Sequence, residues 1–324
     1  MRRTISGCLL VACPVVLAAT AAAGGDFDNG WRTADRRPIA TPTVITEPGR
    51  YIVTSDLLGG NGDRCVITIA SNDVDIDLGG FVLDGGEYAN GLCASGVHGI
   101  QVTNGTLFID SADDEPTALI FDRVQRFTIR NVTLYSTEDY LLRIIDSHKG
   151  LIENSRFLRS TEQVTVNGSE ITIRRSYLPK RLWLSADRSA VVDSTAATFP
   201  GDPHATGEIR VSGSHNRIVG NAAGGVIVSA GSDANLVSGN VLNLNAGPGI
   251  VVGGRRNRIL DNTLIEARDF GLFFSDQSAD NTYAGNVAFG NAGIDCDAPS
   301  STAEFCDEGT GNLSAGGNYL PDPR

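Results

Sequence analysis

Lysine appears only twice in the 324 residues, at Lys149 and Lys180, methionine once, tryptophan twice and histidine four times, and aromatic residues make up 6% of the chain. Acidic residues outnumber basic ones 38 to 26, for a net charge of −12. A surface of that sign repels a phosphate backbone, which excludes nucleic acid as a general partner. The histidines His98, His148, His204 and His215 do not cluster with cysteines, which argues against a zinc site. Beyond the N-terminus no stretch of helical length carries apolar residues at helical spacing, which excludes helical bundles and alternating α/β folds. Glycine is abundant, with 38 copies, and β-branched residues fall in short runs. With 41% hydrophobic residues available for a core, the chain reads as all-β.

The opening "MRRTISGCLLVACPVVLAATAAAGG" combines two arginines, an apolar stretch and a run of small residues. It reads as a signal peptide over residues 1–23, cleaved after Ala23 at an A-x-A site, and directs the chain to an extracellular or periplasmic location. A membrane anchor is the competing reading, but the apolar stretch is short for a bilayer and leaves no transmembrane span in the mature chain. Leu10-Val11-Ala12-Cys13 also resembles a lipobox, which would leave Cys13 lipidated. Four cysteines follow Ala23: Cys65, Cys93, Cys296 and Cys306. An even number in an exported chain favours disulfides, and local pairing is the most economical, Cys65 with Cys93 and Cys296 with Cys306.

Self-similarity decides the architecture. The phrases "NRIVGN" (216–221), "NLVSGN" (235–240), "NRILDN" (257–262) and "NTYAGN" (281–286) repeat two asparagines five apart. Degraded copies lie upstream in "FTIRNVTL", "LIENSRFL", "ITIRRSYL" and "VVDSTA", whose turn residues read Asn131, Asn154, Arg175 and Ser194. Between the phrases sit short alternating strands with apolar pairs such as Leu142/Ile144, Leu182/Leu184 and Ile250/Val252. Residues two apart share a strand face, so each pair points inward and the residue between them outward. Stacked coils of this kind bury a core that no single coil could form. The asparagines are expected at the bends, in the left-handed backbone conformation that Asn tolerates, and stacked as a hydrogen-bonded ladder. A row of sugar-binding amides is the alternative.

On these phrases, and on "ITEPGRYIVTSDL" followed by "NDVDIDLGGFVLDG", the chain resembles the exported right-handed parallel β-helix proteins of the pectate-lyase-like superfamily. The resemblance covers roughly residues 45 to 295 and implies a single solenoid of about ten coils, capped at both ends. No specific enzyme family is matched, since the fold serves lyases, hydrolases, epimerases, esterases and adhesins alike. The organisation expected is a lead-in and cap over 24–60, the β-helix over 61–295, and a disulfide-closed cap and tail over 296–324. In the last segment Asp295, Asp297, Glu304, Asp307 and Glu308 could hold Ca²⁺ or form a solvated cap. They lack the ligand spacing of a recognised calcium loop, so no cofactor is expected. A monomer is expected.

Outward residues of the alternating strands read, coil by coil, Ile120, Arg143, Thr165, Trp183, Arg210, Ile227, Val251 and Phe273. Arg181 and Glu208 lie two residues before Trp183 and Arg210, on the same side. From 141 to 188, nine basic residues against five acidic ones leave an excess of +4 in an otherwise acidic chain. An indole offers a plate to a sugar face and guanidinium forks match carboxylates, so Arg143, Arg181, Trp183, Glu208 and Arg210 form the expected binding face for an acidic polysaccharide. A solvated arginine stripe is the structural alternative. If the protein is catalytic, uronate elimination or epimerisation needs charge neutralisation, expected from Arg143 and Arg210, and a base, expected from Lys149 or His148. The chain departs from the resembled enzymes. The middle coils carry no aspartate cluster like the pectate-lyase calcium site, and "GDPHATG" (201–207) has Ala205 where mannuronan epimerases end Asp-Pro-His-Asp, so Asp202 and His204 read as loop residues. Glu208 with Asp187 would be the pair for a hydrolase. Three functions stay open: an enzyme on acidic polysaccharide, a non-catalytic carbohydrate-binding or adhesive module, and a structural envelope protein.

Overall fold

The inward apolar pairs alternate with outward residues on three successive short strands, and the three strands close into a coil that repeats along the chain. The computed structural model describes residues 35–59, 64–86, 89–110, 116–136, 140–158, 164–178, 181–196, 207–243, 245, 247–292 and 304–320. All regular elements of three or more residues in it are strands, and every pairing between strands is parallel. The result is a right-handed parallel β-helix. One ladder, the first face, runs from Thr43–Ile45 through Leu119–Asp122, Arg181–Asp187 and Glu208–Ser212 to Phe305–Asp307. The second face begins at Arg37–Ile39 and ends at Leu313–Ser314, and the third runs from Leu57–Leu58 to Val287–Phe289. Two strands, Leu142–Glu153 and Val164–Arg174, serve the first and second faces in turn.

Inside, Leu142, Ile144, Val166, Leu182, Leu184, Ile209, Val211, Ile250 and Val252 are buried in one continuous core. The asparagines form the expected ladders. Asn235 Oδ1 accepts the Asn216 backbone N–H at 2.8 Å, Asn257 Oδ1 accepts that of Asn235 at 2.9 Å, and Asn281 Oδ1 that of Asn257 at 2.8 Å. The second members do the same from Asn221 through Asn240 and Asn262 to Asn286. Their backbone role differs from the expectation. The left-handed residue is the one before each asparagine, His215, Ala234, Arg256 and Asp280 in one series and Gly220, Gly239, Asp261 and Gly285 in the other. That residue turns the chain outward and lets the next side chain point inward, where its amide caps the neighbouring coil. Upstream, Asn131, Asn154 and Arg175 are left-handed turn residues as expected, while Ser194 belongs to the buried ladder. There Ser155, Ser176 and Ser194 accept the backbone N–H of Val132, Ser155 and Ser176 at 3.2–3.3 Å before Asn221 takes over. Downstream, Asn312 and Asn318 continue both ladders.

Cys65 and Cys93 are bonded, with Cα atoms 6.0 Å apart, and join adjacent coils of the first face. Cys306 is also in a disulfide, and Cys296 lies outside the described residues. Closing a loop with a sequence separation of 28 removes chain entropy from the unfolded state worth about 3–4 kcal/mol. The double variant Cys65→Ser/Cys93→Ser is therefore expected to unfold with a stability lower by about that amount. Equilibrium denaturation checks this. A loss below about 1 kcal/mol would mean that the stacked coils already hold the first turns in the unfolded chain.

Candidate functional site

The strand register places the expected outward residues in a single column. Ile120 is the ladder neighbour of Arg143, Arg143 of Thr165, Thr165 of Trp183, and Trp183 of Arg210, followed by Ile227, Val251 and Phe273. Parallel neighbours are about 4.8 Å apart, so Arg143 and Arg210 stand about 14 Å apart along the axis with Trp183 between them. Trp183 is 37% exposed, the only tryptophan among the described residues. The Arg210 guanidinium lies over its ring, 5.5 Å from the centroid, and the Arg143 guanidinium lies 5.4 Å from the Tyr140 ring. Contacts of this kind hold a cationic fork flat against the surface. Arg181 and Glu208 are ladder partners, and Glu208 Oε1 sits 3.4 Å from Arg210 Nε. Three arginines against one carboxylate leave this patch positive.

The residues expected to supply a base stand elsewhere. His148 and Lys149 follow Arg143 on the same strand, but past the left-handed residue Asp146 and a register irregularity between Ile144 and Ser147. They occupy the corner between the first and second faces, both exposed, with Lys149 itself left-handed at φ 58°. His148 Nδ1 lies 2.9 Å from Ser169 Oγ. The hydrolase pair is not assembled. Glu208 faces Arg181, and Asp187 comes six residues later on the same strand as Arg181, about 20 Å away in extended chain and beyond the roughly 9.5 Å upper limit for paired carboxylates. Glu304 is buried against Asn291, and Asp307 Oδ1 accepts from Gly309 N at 3.0 Å and Asn312 Nδ2 at 2.8 Å. Asp295, Asp297, Lys180, Asp202 and His204 lie outside the described residues.

A second charged cluster escaped the sequence reading. On the second face Arg130, Glu153 and Arg174 are ladder neighbours, and the Glu153 side chain is 4% exposed. Its carboxylate accepts from Arg130 at 2.9 Å, meets Arg174 at 2.8 Å and is bonded by Arg175. The Arg175 hydrogen bond holds the Glu153 carboxyl below the usual carboxylate range, with Arg174 and Arg130 adding to it. The basic excess over 141–188 is therefore divided between two faces, with Arg174 and Arg175 committed to a structural carboxylate. The signal was present in sequence. The residue before the turn reads Arg130, Glu153 and Arg174 in three consecutive repeats.

A family model described as the right-handed beta helix region matches residues 183–307. A search of curated proteins finds no match. Among solved structures, the chain is similar to a mannuronic acid specific polysaccharide family 6 lyase from human gut microbiota, at 10% identity over 84% of this chain and 79% of that one, TM-score 0.43. It is similar to the A-module of a mannuronan C-5 epimerase of Azotobacter vinelandii, at 12% identity over 87% and 80%, TM-score 0.44. It is also similar to a surface protein and adhesin of Streptococcus pneumoniae, at 13% identity over 87% of each chain, TM-score 0.32. Likeness this loose transfers neither substrate nor activity.

Proposed function

We propose that this is an exported β-helix protein that binds an acidic polysaccharide along the Arg143, Thr165, Trp183, Arg210 column. The observation that carries the reading is the solvent-reaching Trp183 ring under the Arg210 guanidinium, in one ladder with Arg143, in an otherwise acidic chain. A sugar ring packs on the indole, and carboxylates of neighbouring sugars meet the guanidinium forks. Export rests on the N-terminal sequence and on disulfides, which persist in oxidising compartments. Elimination or epimerisation is not part of the proposal. A base must touch the sugar whose carboxylate Arg143 neutralises, and Lys149 and His148 stand past the corner.

Titration calorimetry with oligouronates tests it. Arg143→Ala, Trp183→Ala and Arg210→Ala are each expected to weaken binding by about 1–3 kcal/mol, roughly five- to a hundredfold, while changing stability by less than about 1 kcal/mol. Val251→Ala, in the same column beyond the basic patch, should leave affinity unchanged. Added salt should erode the arginine contributions more than that of tryptophan. Equal binding by the triple variant and the unmodified protein, or none by either, would sink the proposal and leave a structural envelope role.

A further inference from the structure

Where the first face turns into the second, a row of outward side chains runs across the same coils as the binding column. The register aligns His98, Gln125, His148, Ser169 and Asp187 in that order. His98 is engaged by charge, with Nδ1 2.9 Å from Arg126 and 3.5 Å from Asp73. Asp187 accepts the Ser214 backbone N–H at 2.7 Å. His148 differs, since its ring nitrogen meets a hydroxyl, Ser169 Oγ, at 2.9 Å, and both residues reach solvent. The pair is positioned by backbone. His148 N–H donates to Val124 O at 2.9 Å, and Gly168 lies so close to the coil below that a Cβ there would sit 1.8 Å from Ser147 O. That approach sets the register in which Ser169 faces the imidazole. Hydroxyl and imidazole within hydrogen-bond reach are the first element of an activated nucleophile.

We propose that Ser169 and His148 form a nucleophile–base pair for acyl transfer, hydrolysing ester groups carried by a glycan. His148 Nδ1 takes the Ser169 Oγ proton as Oγ bonds to the ester carbonyl carbon. The bond from that carbon to the sugar oxygen breaks, and the sugar oxygen takes the proton from His148. Water then attacks the acyl-serine with His148 as base, and the proton returns to Ser169, so one ester and one water give a free hydroxyl and a carboxylic acid. Lys149, adjacent and exposed, is the cation available to the developing oxyanion. Ser169 and Asp187 lie four residues beyond Thr165 and Trp183 on their strands, about 13 Å in extended chain. A side branch, or a chain that leaves the column and crosses the face from Trp183, spans that distance to the pair. This substrate assignment rests on the binding reading, whereas the chemistry of the pair does not.

The test uses two kinds of probe on the full chain. A phosphonofluoridate, followed by peptide mass mapping, should modify Ser169, and hydrolysis of 4-nitrophenyl acetate should depend on the same residue. Ser169→Ala should abolish both and His148→Ala should slow both at least tenfold, while Ser185→Ala, altering another outward hydroxyl pair with Ser212 at 3.0 Å, should change neither. Absence of the Ser169 adduct, or labelling indifferent to His148→Ala, overturns the proposal. An acetylated polyuronate supplies the second arm. It should release acetate, with Trp183→Ala raising KM for the polymer at least fivefold. Labelling and small-ester turnover without acetate release would retain the pair and overturn the glycan as its substrate.

Discussion

Asn240→Ala is expected to lower the unfolding free energy by about 3–5 kcal/mol. The side chain is 1% exposed and makes four hydrogen bonds. Its Oδ1 accepts from the Asn221 backbone N–H at 2.9 Å and from Asn221 Nδ2 at 3.0 Å, and its Nδ2 donates to Ile218 O and Asn262 Oδ1, both at 2.9 Å. Alanine strands two donors of Asn221 in the interior, each costing about 1–3 kcal/mol, and leaves a void besides. Asn240→Asp should be no better, because it keeps the acceptor but buries a charge and loses both donations. Asn240→Ser should recover part of the loss, since Ser155, Ser176 and Ser194 fill the same ladder position upstream and accept the same backbone N–H. Urea denaturation of the three variants measures the series. An alanine loss below about 1 kcal/mol would show that water replaces the amide and that the ladder is not a source of stability.

The same ladder shows what was legible in the sequence and what was not. Asparagine is distinctive enough that four pairs announced the coil, and strand alternation assigned Leu142/Ile144 and Leu182/Leu184 inward without ambiguity. The upstream continuation was obscured because serine can make the same acceptor contact with a smaller side chain, so the position is held by geometry rather than residue type. Asn312 and Asn318 were obscured by spacing, being six apart instead of five. The backbone assignment slipped by one residue. Asparagine is a familiar left-handed residue, but here Ala234, Arg256 and His215 take that conformation because the fold's buried amide must follow it.

The binding column was readable because strand period alone decides which residues face outward. The corner was not, because period counting stops at a bend. Asp146 is left-handed and the register shifts between Ile144 and Ser147, so nothing in a one-dimensional pattern aligns His148 with Ser169. Glu153 escaped for another reason. Charge was summed along the segment, and a sum cannot show that Arg130 from one coil and Arg174 and Arg175 from another converge on the carboxylate of the coil between them. The same convergence separates the arginines of the second face, which are spent on Glu153, from Arg143 and Arg210 on the first.

Phe274→Ala is expected to cost about 3–5 kcal/mol, and the loss should be confined to one end of the molecule. Phe274 is fully buried, with its ring 5.2 Å from Tyr283 and 6.1 Å from Phe305, while Tyr283 and Phe305 stack at 5.2 Å. These three rings come from successive first-face strands and the intervening second-face strand, and they join the last coils to the rest. In a solenoid each coil contacts only its neighbours, so removing the central ring weakens the junction without touching coils further back. Hydrogen exchange should show lost protection for Thr282–Ala284, Phe305–Asp307 and Leu313–Ser314, while Cys65–Ile69 and Leu119–Asp122 keep theirs. Phe274→Leu should restore most of the protection, since it refills much of the volume. Uniform loss along the whole chain would mean instead that the coils unfold as one unit, coupled through the continuous ladders and core more strongly than nearest-neighbour stacking allows.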